Sequence, residues 1–145
     1  FPAHALSAIE SAITTVEARH AGEIRFVIET ALDVSALLAD RTPRERAVEL
    51  FSHYRVWDTA NNNGVLIYLL MAEHDVEIVA DRGIAARVSD AEWHAVCQQM
   101  ETHFRSGRFR EGAIAGVDGV AALLVRHFPH EGGDRNEQPN RPILL

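Results

Sequence analysis

The side chains that could do chemistry in this sequence are Asp58, Asn63, Asp81 and Asp90, all oxygen donors, and Arg82, a fixed cation beside one of them. Carboxylates and amide carbonyls are hard ligands, the kind that hold Ca²⁺ or Mg²⁺. A divalent ion held by them would polarise a phosphoryl oxygen or activate a water, and the Arg82 guanidinium would hold a phosphate. The four oxygen donors are therefore candidate metal ligands, and Arg82 is a candidate substrate-binding residue. Their spacing matches no EF-hand loop, P-loop or other diagnostic motif. Each also has a structural use. Asp90 belongs to the first turn of a helix, where negative charge is favourable. Asn61 to Asn63 suit a turn, and Asp81-Arg82 before Gly83 suits a strand end.

These residues meet only if the intervening chain folds in one particular way. Leu6, Ile9, Ile13 and Val16 recur at helical spacing, which predicts an amphipathic helix from His4 to Arg19, closing near His20-Ala21-Gly22. Glu23 to Thr30 alternates, with Ile24, Phe26 and Ile28 on one face, and reads as a strand. Thr42-Pro43-Arg44-Glu45 is a capping box with Pro at the first helical position. It opens a helix to about Tyr54 that turns Ala47, Val48, Leu50 and Phe51 inward. Val65 to Met71 is an unbroken apolar run between turn residues, a central strand covered on both faces. Glu73-His74-Asp75 is too short for anything but a hairpin turn, so Val76 to Ala80 returns antiparallel. Ser89-Asp90-Ala91-Glu92 is a second capping box, and its helix buries Trp93, Val96, Cys97, Met100 and Phe104. The last helix runs from about Phe109 to His127 on a stripe of Ile114, Val117, Ala121, Leu124 and Phe128. Gly112, Gly116 and Gly119 are expected to let it approach the sheet closely.

The first and central strands are joined through a helix, so the right-handed crossover rule makes them parallel neighbours. Their starts and the end of the third strand then share one edge of the sheet. Glu23, Asn61, Asn62, Asn63, Asp81 and Arg82 should gather there, joined by Asp58 from its loop and by Asp90 through the short connection 83–88. The opposite edge, with Asp33, Glu73, His74 and Asp75, is the rival, because open α/β sheets favour ligands at the carboxyl ends of parallel strands. The expected fold is α/β: a small, single-layer mixed sheet, made of a parallel crossover plus a β-hairpin, flanked by helices in an α/β/α sandwich. It forms one domain over residues 4–128. Residues 129–145 are a polar tail, expected to be mobile, with Ile143-Leu144-Leu145 either free or docked back.

Composition narrows the function classes. Of 145 residues, 47% are hydrophobic, enough for a core, and the net charge of −7 argues against nonspecific binding to nucleic acid or an anionic membrane. The same charge suits a metal cation or a basic partner. The single cysteine, Cys97, excludes an intrachain disulfide and reads as a packed thiol. His94 and His103 share a helix but not an i, i+4 spacing, so they form no metal clip. Ser89 is a helix cap without an adjacent base, which leaves a Ser-His-Asp enzyme without support. No apolar run reaches the roughly 18 residues of a membrane span. The chain starts at Phe1 rather than Met, which suggests a trimmed N-terminus and leaves a cytoplasmic or a membrane-associated protein equally open.

One ordered set of segments is more specific than any single motif. Asn63-Gly64-Val65-Leu66-Ile67, Val76-Glu77-Ile78, Gly83-Ile84, Val88-Ser89-Asp90-Ala91-Glu92, the stretch from Phe104 to Gly107, Phe109 and Glu111-Gly112-Ala113-Ile114 together resemble the TPM domain family, over about Ala5 to Phe128. That family includes a photosystem II repair protein of the thylakoid lumen. The resemblance implies an α/β sandwich with a small sheet. It also implies divalent-cation binding in some members, a weak acid phosphatase activity, and roles in assembly or repair, often at membranes. Asn63, Gly64 and Asp90 match its pattern directly. Where many members carry a Gly-aromatic-Gly-Leu segment, this chain has Asp81-Arg82-Gly83-Ile84. Two functions follow as expectations. The first is a binding or assembly module with a protein partner, responsive to a divalent cation. The alternative is a weak metal-assisted acid phosphatase acting on phosphomonoesters.

Overall fold

The computed structural model describes residues 1, 3–17, 22–33, 39–59, 63–128 and 139–145. In chain order the elements are α1 (Ala3–Glu17), β1 (Glu23–Glu29), α2 (Pro43–His53), β2 (Gly64–Leu70), β3 (Asp75–Ala80), the one-turn helix α3 (Arg82–Ala85), α4 (Asp90–Arg105), α5 (Phe109–His127) and β4 (Ile143–Leu144). The sheet is mixed and open, in the order β3-β2-β1-β4. β1 and β2 run parallel in the register Glu23 to Gly64, and β2 and β3 form the antiparallel hairpin in the register Val65 to Ala80. The hairpin turn is a single 3₁₀ turn, Met71–Glu73, closed by His74 in the left-handed region (φ 53°).

Alternation sorts each strand between two layers. Ile24, Phe26 and Ile28 of β1, Val65, Ile67 and Leu69 of β2, and Val76 and Ile78 of β3 join the larger core with α1, α4 and α5. Val27, Leu66, Tyr68, Leu70 and Val79 face the other way, against Ala47 and Leu50 of α2 and Val56 after it. Every residue of β2 is buried, as its unbroken apolar run requires. α2 and α4 start where the capping boxes place them. Thr42 with Glu45, and Ser89 with Glu92, each complete the reciprocal bonds of that motif.

Three details depart from the sequence reading. Val48, expected to face inward, is 46% exposed, because a helix covering half a small sheet buries only a narrow stripe. Gly112, Gly116 and Gly119 face α4 and not the sheet. A Cβ at these positions would meet Phe104, Met100 and Val96 respectively, so the glycines set the α4–α5 approach. The link expected between β3 and α4 contains a helix, α3, capped by Asp81. Of the two outcomes left open for the C-terminal residues, the structure shows docking: Ile143–Leu144 is a fourth strand, parallel to β1. The predicted closing turn of the first helix falls mostly outside the described residues, as do Asn61, Asn62 and residues 129–138 of the tail.

Candidate functional site

The start of β1, the start of β2 and the end of β3 share one edge, as the topology predicts. Glu23 N–H donates to Asn63 O at 3.0 Å, and Asp81 N–H donates to Gly64 O at 2.9 Å. Glu23, Asn63 and Asp81 are 4%, 2% and 9% exposed, the three buried polar side chains among the described residues. Gly64 allows this closeness, since a Cβ there would lie 2.1 Å from Val56 O. Asn63 N–H is held by Thr59 Oγ1 at 3.1 Å. Asp81 Oδ1 accepts the Arg82 N–H at 2.7 Å and so caps α3. Its Oδ2 is buried and accepts no hydrogen bond from the described residues.

The other three candidates are engaged or exposed. Asp58 is exposed and ion-paired with Arg55 at 3.1 Å. Arg82 is exposed at the start of α3. Asp90 sits in the first turn of α4 and lines a groove along the outer side of β3. Among the described residues no three His, Cys, Asp or Glu side chains come together as a metal-holding group.

The groove beside β3 was not anticipated. Its volume is about 460 Å³, and Asp75, Glu77, Asp90 and Glu101 bring four carboxylates to it, against Arg44. Burial and the Glu77 carboxyl beside it push Asp75 up to about 7, with Glu73 adding to the rise. Burial and the carboxylates of Glu77, Glu101 and Asp75 push the Cys97 thiol up to about 12. A thiol held protonated is a poor nucleophile, which agrees with the packed-thiol reading.

Glu17 was also missed. Its Oε2 accepts the Ile24 N–H at 2.9 Å. Burial pushes its carboxyl up to about 9 against the pull of that bond, and the adjacent Glu23 raises it further. One signal for it was present: an acid in the last turn of a helix opposes the helix dipole and needs another reason to be there.

The rival edge, at the carboxyl ends of β1 and β2, is a closed network. Arg46 holds the Glu29 carboxylate through two bonds of 2.9 Å, and the Tyr68 hydroxyl donates to it at 2.7 Å. Burial opposes its charge, but the Arg46 and Tyr68 bonds outweigh burial and hold Glu29 below the usual carboxylate range. Asp33 lines a cavity of about 280 Å³ beside this network, with Arg41 and Glu49, themselves ion-paired. Glu73 and His74 stay on the hairpin turn.

With this geometry in place, the sequence profile of the TPM domain matches residues 2–123. The chain belongs to the TPM domain family. This TPM domain is similar in structure to the BA42 protein of the psychrophilic bacterium Bizionia argentinensis, with a TM-score of 0.86 and 28% identity over 100% of this chain and 95% of that one. It also shares its fold with the N-terminal domain of a P. gingivalis protein, with a TM-score of 0.70 and 21% identity over 90% of this chain and 82% of that one. The N-terminal domain of the cg2496 protein of Corynebacterium glutamicum gives a TM-score of 0.63 and 16% identity over 86% and 74%. No curated protein matches the sequence. No helix among the described residues is long and apolar enough to cross a membrane.

Proposed function

We propose that this TPM domain is a cation-responsive binding module that takes Ca²⁺ or Mg²⁺ at the Asn63–Asp81 edge. The observation that carries this reading is Asp81 Oδ2, a buried carboxylate oxygen that accepts no hydrogen bond from the described residues. Leaving such an atom bare costs roughly 1–3 kcal/mol or more, which an ion or a water would recover. Asn63, buried one rung away, offers an amide oxygen of the same hard character. With Asp58 paired to Arg55 and Asp90 lining the groove beside β3, the rest of an ion's shell would come from main-chain oxygens and water. That is usual for these ions, and one carboxylate implies weak binding, with Kd on the order of 10⁻⁴–10⁻³ M. A bound ion would stiffen the junction of three strands.

A binding role is favoured over hydrolysis because the described side chains offer no activated nucleophile. Ser89 caps α4, and Cys97 is held as a thiol. Thermal melting in the presence of millimolar Ca²⁺ or Mg²⁺ tests the ion. The melting temperature should rise by linkage, Asp81→Asn should remove the rise, and Asp90→Asn should keep it. Equal behaviour of the two variants would remove this site. Saturable, metal-dependent cleavage of p-nitrophenyl phosphate, lost in Asp81→Asn, would overturn the binding-module reading in favour of a metal-assisted phosphatase with Arg82 on the phosphate.

A further inference from the structure

The outer edge of β1 shows how this sheet accepts an added strand. Leu145 lies opposite Glu29, donating its N–H to Ile28 O at 2.7 Å and accepting the Thr30 N–H at 3.2 Å. One residue of a parallel strand is thus held at two points by the groups that flank its partner.

The outer edge of β3 offers the same two points. Asp81 N–H turns inward to Gly64 O, so by alternation the main-chain groups of Val76 and Ile78 turn outward. Two of these are taken by side chains: Glu101 accepts the Val76 N–H at 3.1 Å, and the Arg44 guanidinium donates to Ile78 O. Among the described residues, Val76 C=O and Ile78 N–H have no partner. They flank Glu77 as Ile28 C=O and Thr30 N–H flank Glu29. A parallel residue opposite Glu77 could use both without displacing Glu101 or Arg44.

Charge decides the kind of segment. Side chains of a strand added here would alternate between the α2 side, facing Asp75 and Glu77, and the α4 side, facing Asp90 and Glu101. The guanidinium lining the groove, Arg44, is already engaged by Ile78 O and lies 3.9 Å from Glu77. Trp93 and Cys97 supply an apolar wall between the acids. We propose that the β3 edge docks an extended, lysine- or arginine-bearing segment of another protein, added parallel to β3 with one residue clamped opposite Glu77. Main-chain bonds would supply the docking and the carboxylates the choice of partner, as in other strand additions. This site needs no metal, so tests in the presence of EDTA separate it from the cation site.

The probe is a blocked hexapeptide of alternating lysine and valine, titrated into ¹⁵N-labelled protein. The amide of Ile78 should move most, with its neighbours on β3 and α4. N-methylation of the clamped peptide residue should abolish binding, the glutamate-valine peptide should not bind, and Glu77→Gln with Asp90→Asn should weaken the lysine peptide roughly tenfold. The double variant's melting temperature and spectrum show whether it is folded, and the N-methyl peptide tests the clamp on unaltered protein. Absence of binding at millimolar peptide, equal binding of the glutamate peptide, or indifference to every N-methyl position would overturn the proposal. Shifts at Ile78 that grow with protein concentration alone would replace the foreign segment with a second copy of this chain.

Discussion

β1 and β3 flank the same central strand, and each meets its outer side with a glutamate from the neighbouring helix. Glu17 of α1 accepts the N–H of Ile24, and Glu101 of α4 accepts the N–H of Val76, in each case the second residue of the strand. Beyond that cap the two edges diverge. β1 is covered by the chain's own β4, and Arg25 ties the tail down by donating to Pro139 O at 2.8 Å. β3 keeps an open stretch walled by carboxylates. An exposed strand edge invites pairing with other chains, and inward-pointing charge is one way proteins limit it. Covering an edge excludes every partner, whereas lining it with charge excludes most and admits those of opposite sign.

The harshest way to break the comparison is to remove what both edges share. Gly64→Ala would drive a methyl group into Val56 O at the start of β2. We expect a loss of about 3 kcal/mol or more, read by urea denaturation. A loss under about 1 kcal/mol would mean that the loop before β2 can move aside. Next in size is deletion of Ile143–Leu145, which strips the bonds of β4 from β1. It should cost about 1–2 kcal/mol, speed hydrogen exchange at the Thr30 amide, and leave Ile78 exchange unchanged. Altered exchange on both edges would show that they are coupled through β2.

The two glutamate caps should respond with opposite signs. Glu101→Ala exposes the Val76 N–H and should lower stability by about 0.5–1 kcal/mol. Glu17→Gln keeps an acceptor for Ile24 without the charge. The Glu17 pKa is about 9 in the fold and about 4.5 in the unfolded chain. Its contribution is therefore fully present below about 4.5 and is lost as pH rises towards about 9. At pH 8 the Gln variant should be more stable than the natural protein by on the order of 1 kcal/mol. The smallest effect belongs to Asp75, raised from 3.8 to about 7. By the same sign, its part of the stability is lost between those values, and Asp75→Asn should flatten that slope. The half-exposed position keeps the difference below about 1 kcal/mol. Denaturation at pH 5 and pH 8 compares both variants, and an unchanged slope in either would remove that carboxyl from the account.

What could be known from the sequence was local. The capping boxes at Thr42 and Ser89 close within four residues, the apolar run of β2 allows only a buried strand, and the hairpin turn is too short for any but an antiparallel return. From these the meeting of Asn63 and Asp81 followed, because topology alone places strand ends. What escaped depended on contacts between distant segments. Asp90 is carried to the outer side of β3 by α3, and Asp81, counted as a ligand, caps that helix with one oxygen. Helical spacing put Gly112, Gly116 and Gly119 near one face but could not name α4 as the neighbour they meet. Ile143–Leu144 pairs with β1 across more than a hundred residues, and a two-residue strand carries no periodicity to announce it. Glu17 and Glu101 became caps only once the sheet had chosen which amides point outward. Periodicity and capping are written within a turn or two of chain, whereas which surface a segment finds depends on the packing of the whole.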